Sequence, residues 1–396
     1  MITFDEACRR IAGIARPLGM ETVPLEMAWN RVLATPVVAA HMAPCAAVSA
    51  MDGYAVRDAD IRAGTNRLRV VGEAFAGPGG HDRPLEPGEC VRIFTGARLP
   101  LGADRVLIQE NVQAVAGEVC FEGSPGGARH VRAAGSDFAP GDVLLEAGTP
   151  LSPQALVTAA AADCGTLQVF RRPRVAILST GDELVSPGHA AELRGAVPES
   201  VSFGVCALVR AWGGEVVGRR RLGDDLAALR SAARAALDEA DVVVTTGGAS
   251  VGERDHSKTM FTPFGMTCVF EKVAIKPGKP VWVGKVGDRI VVGLPGNPSA
   301  AMVTARLVLA PLLAGLSGRS PASALAWRTA TLGAGLGDGC DRETFLRART
   351  GPEGVRSLGS QDSSAQRGLA ATELLIRRPA HATALDAGAA VDILAF

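Results

Sequence analysis

The feature that most constrains the fold is an alternation of apolar strand-like runs with helix-length segments between Arg174 and Leu316. Three runs are typical of strands: RVAILSTG, EVVGRRRL and DVVVTTGG. The segments between them, SVSFGVCALVRAWGG and DLAALRSAARAALDEA, are typical of helices. Strands that alternate with helices of this length form βαβ units, which build a mostly parallel sheet covered by helices on both faces. The pattern predicts a central α/β domain over residues 171–318.

Short strand-like runs separated by turns dominate the rest of the chain. Four runs (LRVVGEAFAG, ECVRIFTG, DRVLIQENV, EVCFEG) predict a β domain over 49–138, inserted into an elongated N-terminal arm formed by 1–48 and 139–170. Four more (AWRTATL, ETFLRART, ELLIRRPA, AVDILAF) predict a small C-terminal β domain over 322–396. The fold class is therefore α/β plus β, divided over four domains.

Two helices outside the central domain are indicated by their start signals. Thr3 and Glu6 have the spacing of a capping box, and an apolar face follows them, so a helix is expected from about Thr3 to Arg16. The pair Ser152-Pro153 predicts the start of a second helix over 153–163.

The charge balance excludes a general attraction to polyanions. Lys plus Arg and Asp plus Glu both number 41, so no net field favours nucleic acid or an anionic membrane. Hydrophobic residues make up 47% of the 396 residues, which is enough to bury sizeable cores. An anionic ligand would have to be held by local groups.

The cysteines and the apolar segments indicate a cytoplasmic protein. Eight cysteines are scattered without CxxC or Cys/His ligand spacing, which argues against a zinc site and fits a reducing compartment. The first sixteen residues carry acids and arginines before any apolar run and do not resemble a secretory signal. The stretch Leu307 to Leu316 contains Pro311 and is too short to cross a bilayer.

Polar loops follow three of the predicted buried strands. They are the segments 179–183 (STGDE), 246–255 (TGGASVGERD) and 293–298 (GLPGNP). Ligands of parallel α/β sheets bind beyond the carboxyl ends of the strands, where glycines expose backbone N–H groups and carboxylates can hold a divalent cation. One such loop alone is as consistent with a simple turn, but three at one sheet edge favour a ligand site.

Three lysines follow in the segment EKVAIKPGKP: Lys272, Lys276 and Lys279. Lysines at strand ends are most often solvated, yet the Pro-Gly framing restricts the backbone and favours an oxyanion-binding role. The residue composition around Asp52, Thr95 and Asp137 indicates only loops and does not point to a function. The sequence shows no Ser/His/Asp triad motif, no GxGxxG after a strand and no P-loop, which disfavours a dehydrogenase and a P-loop enzyme.

Seven segments occur in an order that resembles a known family. SAMDGYAV, RIFTGARLPLGAD, GSDF, LSTGDEL, TTGGASVGERD, AIKPGKP and GLPGNP are similar to the motifs of the molybdopterin molybdenumtransferases, bacterial relatives of the C-terminal region of gephyrin. The resemblance covers nearly the whole chain. It implies insertion of molybdate into adenylylated molybdopterin, with hydrolysis of the adenylate, release of AMP and a requirement for Mg²⁺. It also implies a cytoplasmic homodimer whose site is completed by the other subunit, with the molybdopterin adenylyltransferase and molybdoenzymes as candidate partners.

The resemblance also implies site residues, carried over residue by residue onto the matching positions of this chain. Catalytic roles fall on Asp52, Thr95, Asp137, Glu183, Asp224 and Asp255, and metal binding on Glu183, Asp224 and Asp255. Substrate binding falls on Thr180, Gly181, Thr246, Gly247, Gly248, Ser250, Lys272, Lys276, Lys279, Pro295, Pro298, Arg347 and Ser363. Which acid performs which role stays open at this point.

Three stretches depart from the pattern of the family. Pro198-Glu199-Ser200-Val201 stands where the family usually carries Asp-Ser-Asn, Ser299-Ala300 replaces Val-Ser, and Gln361-Asp362-Ser363 replaces Gln-Gly-Ser. The first two changes favour one alternative, a non-catalytic molybdopterin-binding or cofactor-carrier paralogue. A molybdopterin adenylyltransferase is the third possibility, and the length of the chain argues against it.

Overall fold

The structure, a computed structural model, describes residues 1–123, 125–247 and 256–396. Contacts divide the chain into two units. The first unit comprises Met1–Thr35, Ala147–Leu156 and Thr166–Phe396, and the second comprises Pro36–Glu146 and Val157–Gly165. The division into four domains expected from the sequence stays a prediction.

A six-stranded sheet forms the centre of the first unit. Its strands, in spatial order, are Glu215–Leu222, Arg174–Thr180, Val242–Thr246, Arg289–Leu294, Trp282–Val286 and Thr267–Glu271. The first four run parallel to one another, as predicted, and the last two run antiparallel to their neighbours. The antiparallel edge was not expected from the sequence. It arises because the strands Trp282–Val286 and Arg289–Leu294 form a hairpin, with no crossover helix between them.

Both faces of the central sheet are buried, and this explains its continuous apolar runs. Side chains alternate along the strand Arg174–Thr180: Val175 and Ile177 join one hydrophobic core, whereas Ala176 and Leu178 join another. The helices Val201–Ala211 and Leu226–Glu239 contribute to the first and the second core respectively. Both helices were predicted.

The N-terminal helix shows how local signals set its ends. It spans Phe4–Ile14, and the Thr3 hydroxyl accepts a hydrogen bond from the Glu6 backbone N–H at 3.2 Å. The helix ends two residues before the predicted Arg16, because Pro17 disfavours the helical conformation of the residue that precedes it. The second predicted helix spans Pro153–Ala161.

Helical structure continues from Pro298 to Leu316 beside the central sheet. It consists of Pro298–Thr304, a π-helical segment Ala305–Leu309 and Ala310–Leu316. Among the described residues this is the one stretch long and apolar enough to span a membrane, with a mean hydropathy of 1.7. Because 94% of it is buried inside the protein, it is accounted for as a core helix.

A second sheet of the first unit lies toward the C-terminus. It contains Ile275–Lys276, Glu343–Gly351, Leu374–Arg378, Ala390–Ala395 and Arg328–Thr331, with Gly354–Ser357 paired to the second of these strands. The four strands predicted after residue 322 are confirmed. Smaller pairings in this unit join Met20–Pro24 to Thr166–Phe170 and Leu184–Val185 to Val197–Pro198.

The second unit is built around another six-stranded sheet. Its order is Arg105–Ile108, Gly53–Val56, Glu89–Ile93, Arg67–Ala74, Glu118–Cys120 and Gln113–Val115, with one parallel pair formed by the third and fourth strands. Short pairings (Val48–Ser49 with Val131–Arg132, Val37–Val38 with Val143–Leu145) and the helix Asp58–Arg62 complete it. The predicted β character of this region is confirmed.

Candidate functional site

A cavity of about 840 Å³ opens at the carboxyl ends of the parallel strands. Thr180 and Thr246 are the last residues of two adjacent strands, and Pro295 follows the last residue of a third. All three line the cavity. This is the edge at which α/β sheets bind ligands, because loops and helix N-termini converge there.

Many of the residues expected at the site lie around this cavity. Those that line it are Thr180, Gly181, Glu183, Asp224, Thr246, Gly247, Lys272, Lys279, Pro295 and Pro298. Gly248, Ser250 and Asp255 lie outside the described residues. Lys276, Arg347 and Ser363 are described and are not part of the cavity lining. Asp52, Thr95 and Asp137 belong to the second unit.

Two glycines allow the strand ends to approach the cavity closely. Gly247 has φ +91°, and a Cβ there would lie 3.0 Å from Thr180 Oγ1 and closer still to the Thr180 carbonyl oxygen. Gly181 has φ +149°, and a Cβ would lie 2.6 Å from Glu183 Oε2. The Glu183 carboxylate therefore folds back over Gly181 at the end of its strand, in space that a side chain at position 181 would fill.

Asp224, the second acid of the cavity, is positioned by a hydrogen bond to the loop that follows the adjacent strand. The backbone N–H of Asp224 donates to Asp182 Oδ1 at 2.9 Å, so the loop after the edge strand is tied to the loop after the adjacent strand. Asp225 then caps the helix Leu226–Glu239 by accepting from the Ala228 backbone N–H at 2.7 Å. With these contacts Asp224 lies in the cavity lining, which also includes Glu183.

The carboxylates fit a hard divalent cation by their chemistry, since Mg²⁺ prefers oxygen ligands and uses one or two carboxylates. Within the described ranges no group of three or more His, Cys, Asp or Glu side chains is arranged to hold a metal ion. Glu183 and Asp224 supply two carboxylates, and Asp255, the third expected ligand, lies outside the described residues.

Two lysines of the cavity lie on the loop 272–281, whose two ends are joined by backbone hydrogen bonds. The backbone N–H of Lys272 donates to Val281 O at 3.1 Å, and that of Val273 donates to Lys279 O at 3.0 Å, which fixes both ends of the loop. Lys272 adopts φ +56°, an unusual conformation for a residue with a side chain. Lys276 lies on the strand Ile275–Lys276, paired with Thr344 of the C-terminal sheet.

Lysine and acid side chains also pair within the lining. Lys258 Nζ lies 2.6 Å from Glu271 Oε2, and this ammonium group lowers the pKa of Glu271 below its usual value. Neither residue was expected at the site, and no motif marked them. Lys258 follows the strand-end loop 246–255 by three positions, which is the one signal that could have indicated it.

The stretch 198–201, which differs from the family pattern, forms part of the cavity wall. Glu199 is 5% exposed, and its carboxylate accepts from the backbone N–H of Ser202 at 2.8 Å at the start of the helix Val201–Ala211. Arg219 lies 3.4 Å from the same carboxylate. Val201, an apolar residue of this stretch, also lines the cavity.

The guanidinium group of Arg347 is buried and forms its hydrogen bonds within the protein. Its side chain is 1% exposed, and Nη1 donates to Ser299 Oγ at 2.7 Å and to Ala365 O at 3.1 Å. Nη2 donates to Ser360 O at 2.8 Å and to Asp362 O at 3.0 Å. Two of the departures from the family pattern, at 299 and 362, therefore meet around one buried guanidinium.

Ser363 is likewise tied to the neighbouring loop. Its carbonyl oxygen accepts from the Ser299 backbone N–H at 3.0 Å, and its hydroxyl accepts from Asn297 Nδ2 at 3.1 Å. These contacts hold the segment after residue 360 against the GLPGNP loop. Ser364 and Gln366, which sequence reasoning missed, are the residues of this segment that line the cavity.

In the second unit, Asp52 and Thr95 form a local pair. The backbone N–H and the hydroxyl of Thr95 both donate to Asp52 Oδ1 at 2.8 Å. These hydrogen bonds, the backbone one first, lower the pKa of Asp52. Asp137 is exposed, and its backbone N–H donates to Ala43 O at 3.0 Å.

Comparisons with known proteins identify the class. Residues 2–163 match the family described as MoeA N-terminal region (domain I and II), and residues 176–315 match the one described as probable molybdopterin binding domain. A molybdopterin biosynthesis MoeA protein of Pyrococcus horikoshii has a similar structure, with a TM-score of 0.81 at 28% identity, covering 100% of this chain and 99% of that chain. The fold and the cavity together define a protein of this MoeA type.

Curated relatives specify the family further. A molybdopterin molybdenumtransferase of Haemophilus influenzae is 37% identical over 322 residues, which cover 81% of this chain and 78% of the relative. Molybdopterin molybdenumtransferase 2 of Mycobacterium tuberculosis is 33% identical over 403 residues, covering 99% of both chains. The chain belongs to the molybdopterin molybdenumtransferase family, and the resemblance inferred from the seven motifs is confirmed.

Proposed function

We propose that this protein inserts molybdate into adenylylated molybdopterin, hydrolysing the adenylate and releasing AMP in molybdenum cofactor biosynthesis. The observation that carries the proposal is the meeting of carboxylates and lysines around one cavity at the strand ends. The names of the relatives support a transferase over a cofactor carrier.

The chemistry of the lining fits the proposed substrates. Molybdate and the phosphate groups of the adenylate are anions, so Lys272 and Lys279 would bind them together with backbone N–H groups of the glycine loops. Thr180 and Thr246 line the same strand ends, and their hydroxyls donate within the protein, to Thr246 O at 3.5 Å and to Ser179 Oγ at 3.1 Å. Ammonium and N–H groups at fixed positions stabilise the charge that builds on phosphate oxygens as the phosphoanhydride bond breaks.

Glu183 and Asp224, with Asp255, would hold Mg²⁺. The cation supplies further stabilisation of negative charge on the phosphate oxygens when it is bound. The role of the chain is to keep the two described carboxylates in place, Glu183 through the space left at Gly181 and Asp224 through its hydrogen bond to Asp182.

The remaining parts of the proposal concern the assembly. The protein would act as a cytoplasmic homodimer, and Asp52, Thr95 and Asp137 of one subunit would complete the cavity of the other. An elongated arm, an inserted β domain, an α/β domain and a C-terminal β domain would form each subunit. Equilibrium sedimentation, together with mixing of Asp52→Ala and Glu183→Gln subunits, tests this part: restored activity in the mixed dimer is expected only for a composite site.

A direct assay tests the proposed reaction. Purified protein is incubated with adenylylated molybdopterin, Mg²⁺ and molybdate, and both AMP release and cofactor formation are measured. Both products are expected from the wild type, and Glu183→Gln should abolish both. Glu192→Gln is the matched control, since Glu192 is exposed and lies outside the cavity lining. Tight binding of the substrate without either product would refute the transferase and support a carrier.

A further inference from the structure

One part of the cavity wall is formed by polar side chains that were not expected at the site from the sequence. Ser364 and Gln366 reach the cavity from the loop that follows the strand Gly354–Ser357. Asp362 lies two residues before Ser364 in the same loop. A carboxylate there changes what the neighbouring hydroxyl can offer to a ligand.

The Asp362 carboxylate fixes the hydroxyl of Ser364. Asp362 Oδ1 accepts from the Ser364 backbone N–H at 2.8 Å and from Ser364 Oγ at 2.8 Å. A serine hydroxyl has one hydrogen and two lone pairs. Because the hydrogen is directed to Asp362, the remaining capacity of Ser364 Oγ is that of an acceptor.

Arg347 and Ser299 hold this loop from behind. The two guanidinium nitrogens of Arg347 reach the carbonyl oxygens of Ser360, Asp362 and Ala365, and Ser299 Oγ donates to Ala365 O at 2.6 Å. Since the guanidinium is buried, these hydrogen bonds are shielded from water and hold the backbone on both sides of Ser364. The acceptor is therefore presented by an ordered loop.

We propose that Ser364, whose hydroxyl is oriented by Asp362, forms a hydrogen-bond acceptor site in the cavity that orients an amino-bearing nitrogen heterocycle of the substrate. The inference rests on the proposed function, whose substrate contains two such rings, a pterin and an adenine. The lysines attract the anionic groups, while this site selects the ring that donates N–H hydrogen bonds. Ser364 is thereby the specificity-determining residue, and Asp362, Arg347 and Ser299 are positioning residues.

Matched ligand pairs test the proposal by equilibrium binding to the full-length protein. AMP is compared with IMP, and 6-hydroxymethylpterin with 6-hydroxymethyllumazine, since the second member of each pair carries a carbonyl in place of the amino group. One amino-mediated hydrogen bond corresponds to roughly 3- to 10-fold in affinity. We expect the wild type to prefer the amino member of one pair by about that factor. The pair that shows the preference identifies the ring.

The variants Ser364→Ala and Asp362→Gly should reduce that preference to less than about twofold. Asp362 is exposed, so the glycine variant is expected to fold, and circular dichroism verifies it for both variants. Ser323→Ala is the matched control, because its hydroxyl is exposed and bonded within its own turn to Ser320 O. It should retain the wild-type preference.

The absence of a preference in the wild type for either pair would overturn the inference, as would a preference that persists in either variant. The outcome is separable from that of the proposed function. Loss of ligand discrimination in Ser364→Ala alongside a failed metal-insertion assay would refute only the transferase. Successful metal insertion without any discrimination would refute only the acceptor site.

Discussion

Substitution of Gly247 by alanine is the sharpest test of how the strand ends shape the cavity. Gly247 has φ +91°, and a Cβ there would press against Thr180 at its carbonyl oxygen and at Oγ1. Backbone in this region costs an alanine about 1–2 kcal/mol, and relief of the overlap by moving a well-packed strand end costs about 1–3 kcal/mol more. We expect Gly247→Ala to lower the free energy of unfolding by about 2–5 kcal/mol.

A second glycine separates the two contributions. Gly265 has φ +75° at the end of the helical turn Thr259–Phe264, and a Cβ there would meet no atom within 4 Å. Gly265→Ala should therefore show only the backbone cost, about 1 kcal/mol. Urea unfolding followed by tryptophan fluorescence measures the difference, since Trp282 is 1% exposed and lines the same cavity.

The same pair of variants separates stability from activity. Gly247→Ala should also impair AMP release, because a displaced strand end moves Thr180 and the loop that carries Glu183. Gly265→Ala should retain activity. Equal losses of stability in the two variants, or a Gly247→Ala protein with wild-type activity, would refute the argument from the overlap with Thr180.

Three further predictions address charge. Lys279→Ala should weaken AMP binding and reduce its salt dependence, whereas Lys276→Ala, which alters a lysine outside the cavity lining, should change both less; titrations at two salt concentrations compare them. Glu199→Ala should cost about 1–2 kcal/mol of stability, measured by urea unfolding, through loss of the bonds at the helix start, and unchanged stability would contradict this. Burial raises the pKa of Asp241, but the hydrogen bonds from Arg171 and the Arg174 backbone more than offset it, so the net pKa is lowered. A lowered folded-state pKa gives stability that is present above the unfolded value, near 4, and is lost as pH falls through the folded value. Asp241→Asn should therefore be less stable than the wild type by about 2–3 kcal/mol at pH 7, with a gap that closes below about pH 4 in urea unfolding at several pH values. A gap independent of pH would exclude the carboxylate as its source.

The central sheet was predictable because its signal is local and periodic. Strands such as Val242–Thr246 are buried on both faces, so their sequences are continuously apolar and end at glycines. The antiparallel edge was not predictable in this way. Its signal is instead the two-residue turn Gly287-Asp288 between the strands Trp282–Val286 and Arg289–Leu294, a sequence typical of β-hairpins that was not recognised.

The strand-end loops were predictable as a group, whereas individual contacts were not. Any residue just after a parallel strand is carried to the same edge, which is why Thr180, Thr246 and Pro295 could be named together. The environment of Arg347 depends on residues such as Ser299, which is 48 positions away in the chain. A motif match indicates such a residue but gives no information about whether its charge is free or buried.

The burial of Arg347 bears on how a chain with no net charge can bind anions. Its guanidinium is surrounded by carbonyl oxygens and a hydroxyl, so it contributes little to a ligand in the cavity. Lys258 forms a salt bridge with Glu271, whereas Lys272 and Lys279, the other lining lysines, form no salt bridge among the described residues. Anion binding should therefore depend steeply on these two lysines and weakly on Arg347. The carboxylates of Glu183 and Asp224 in the same cavity lining would repel a phosphate group. A cation bound to them would reverse the sign of the local charge and attract the phosphate. The carboxylates would therefore contribute to substrate affinity as well as to the reaction itself.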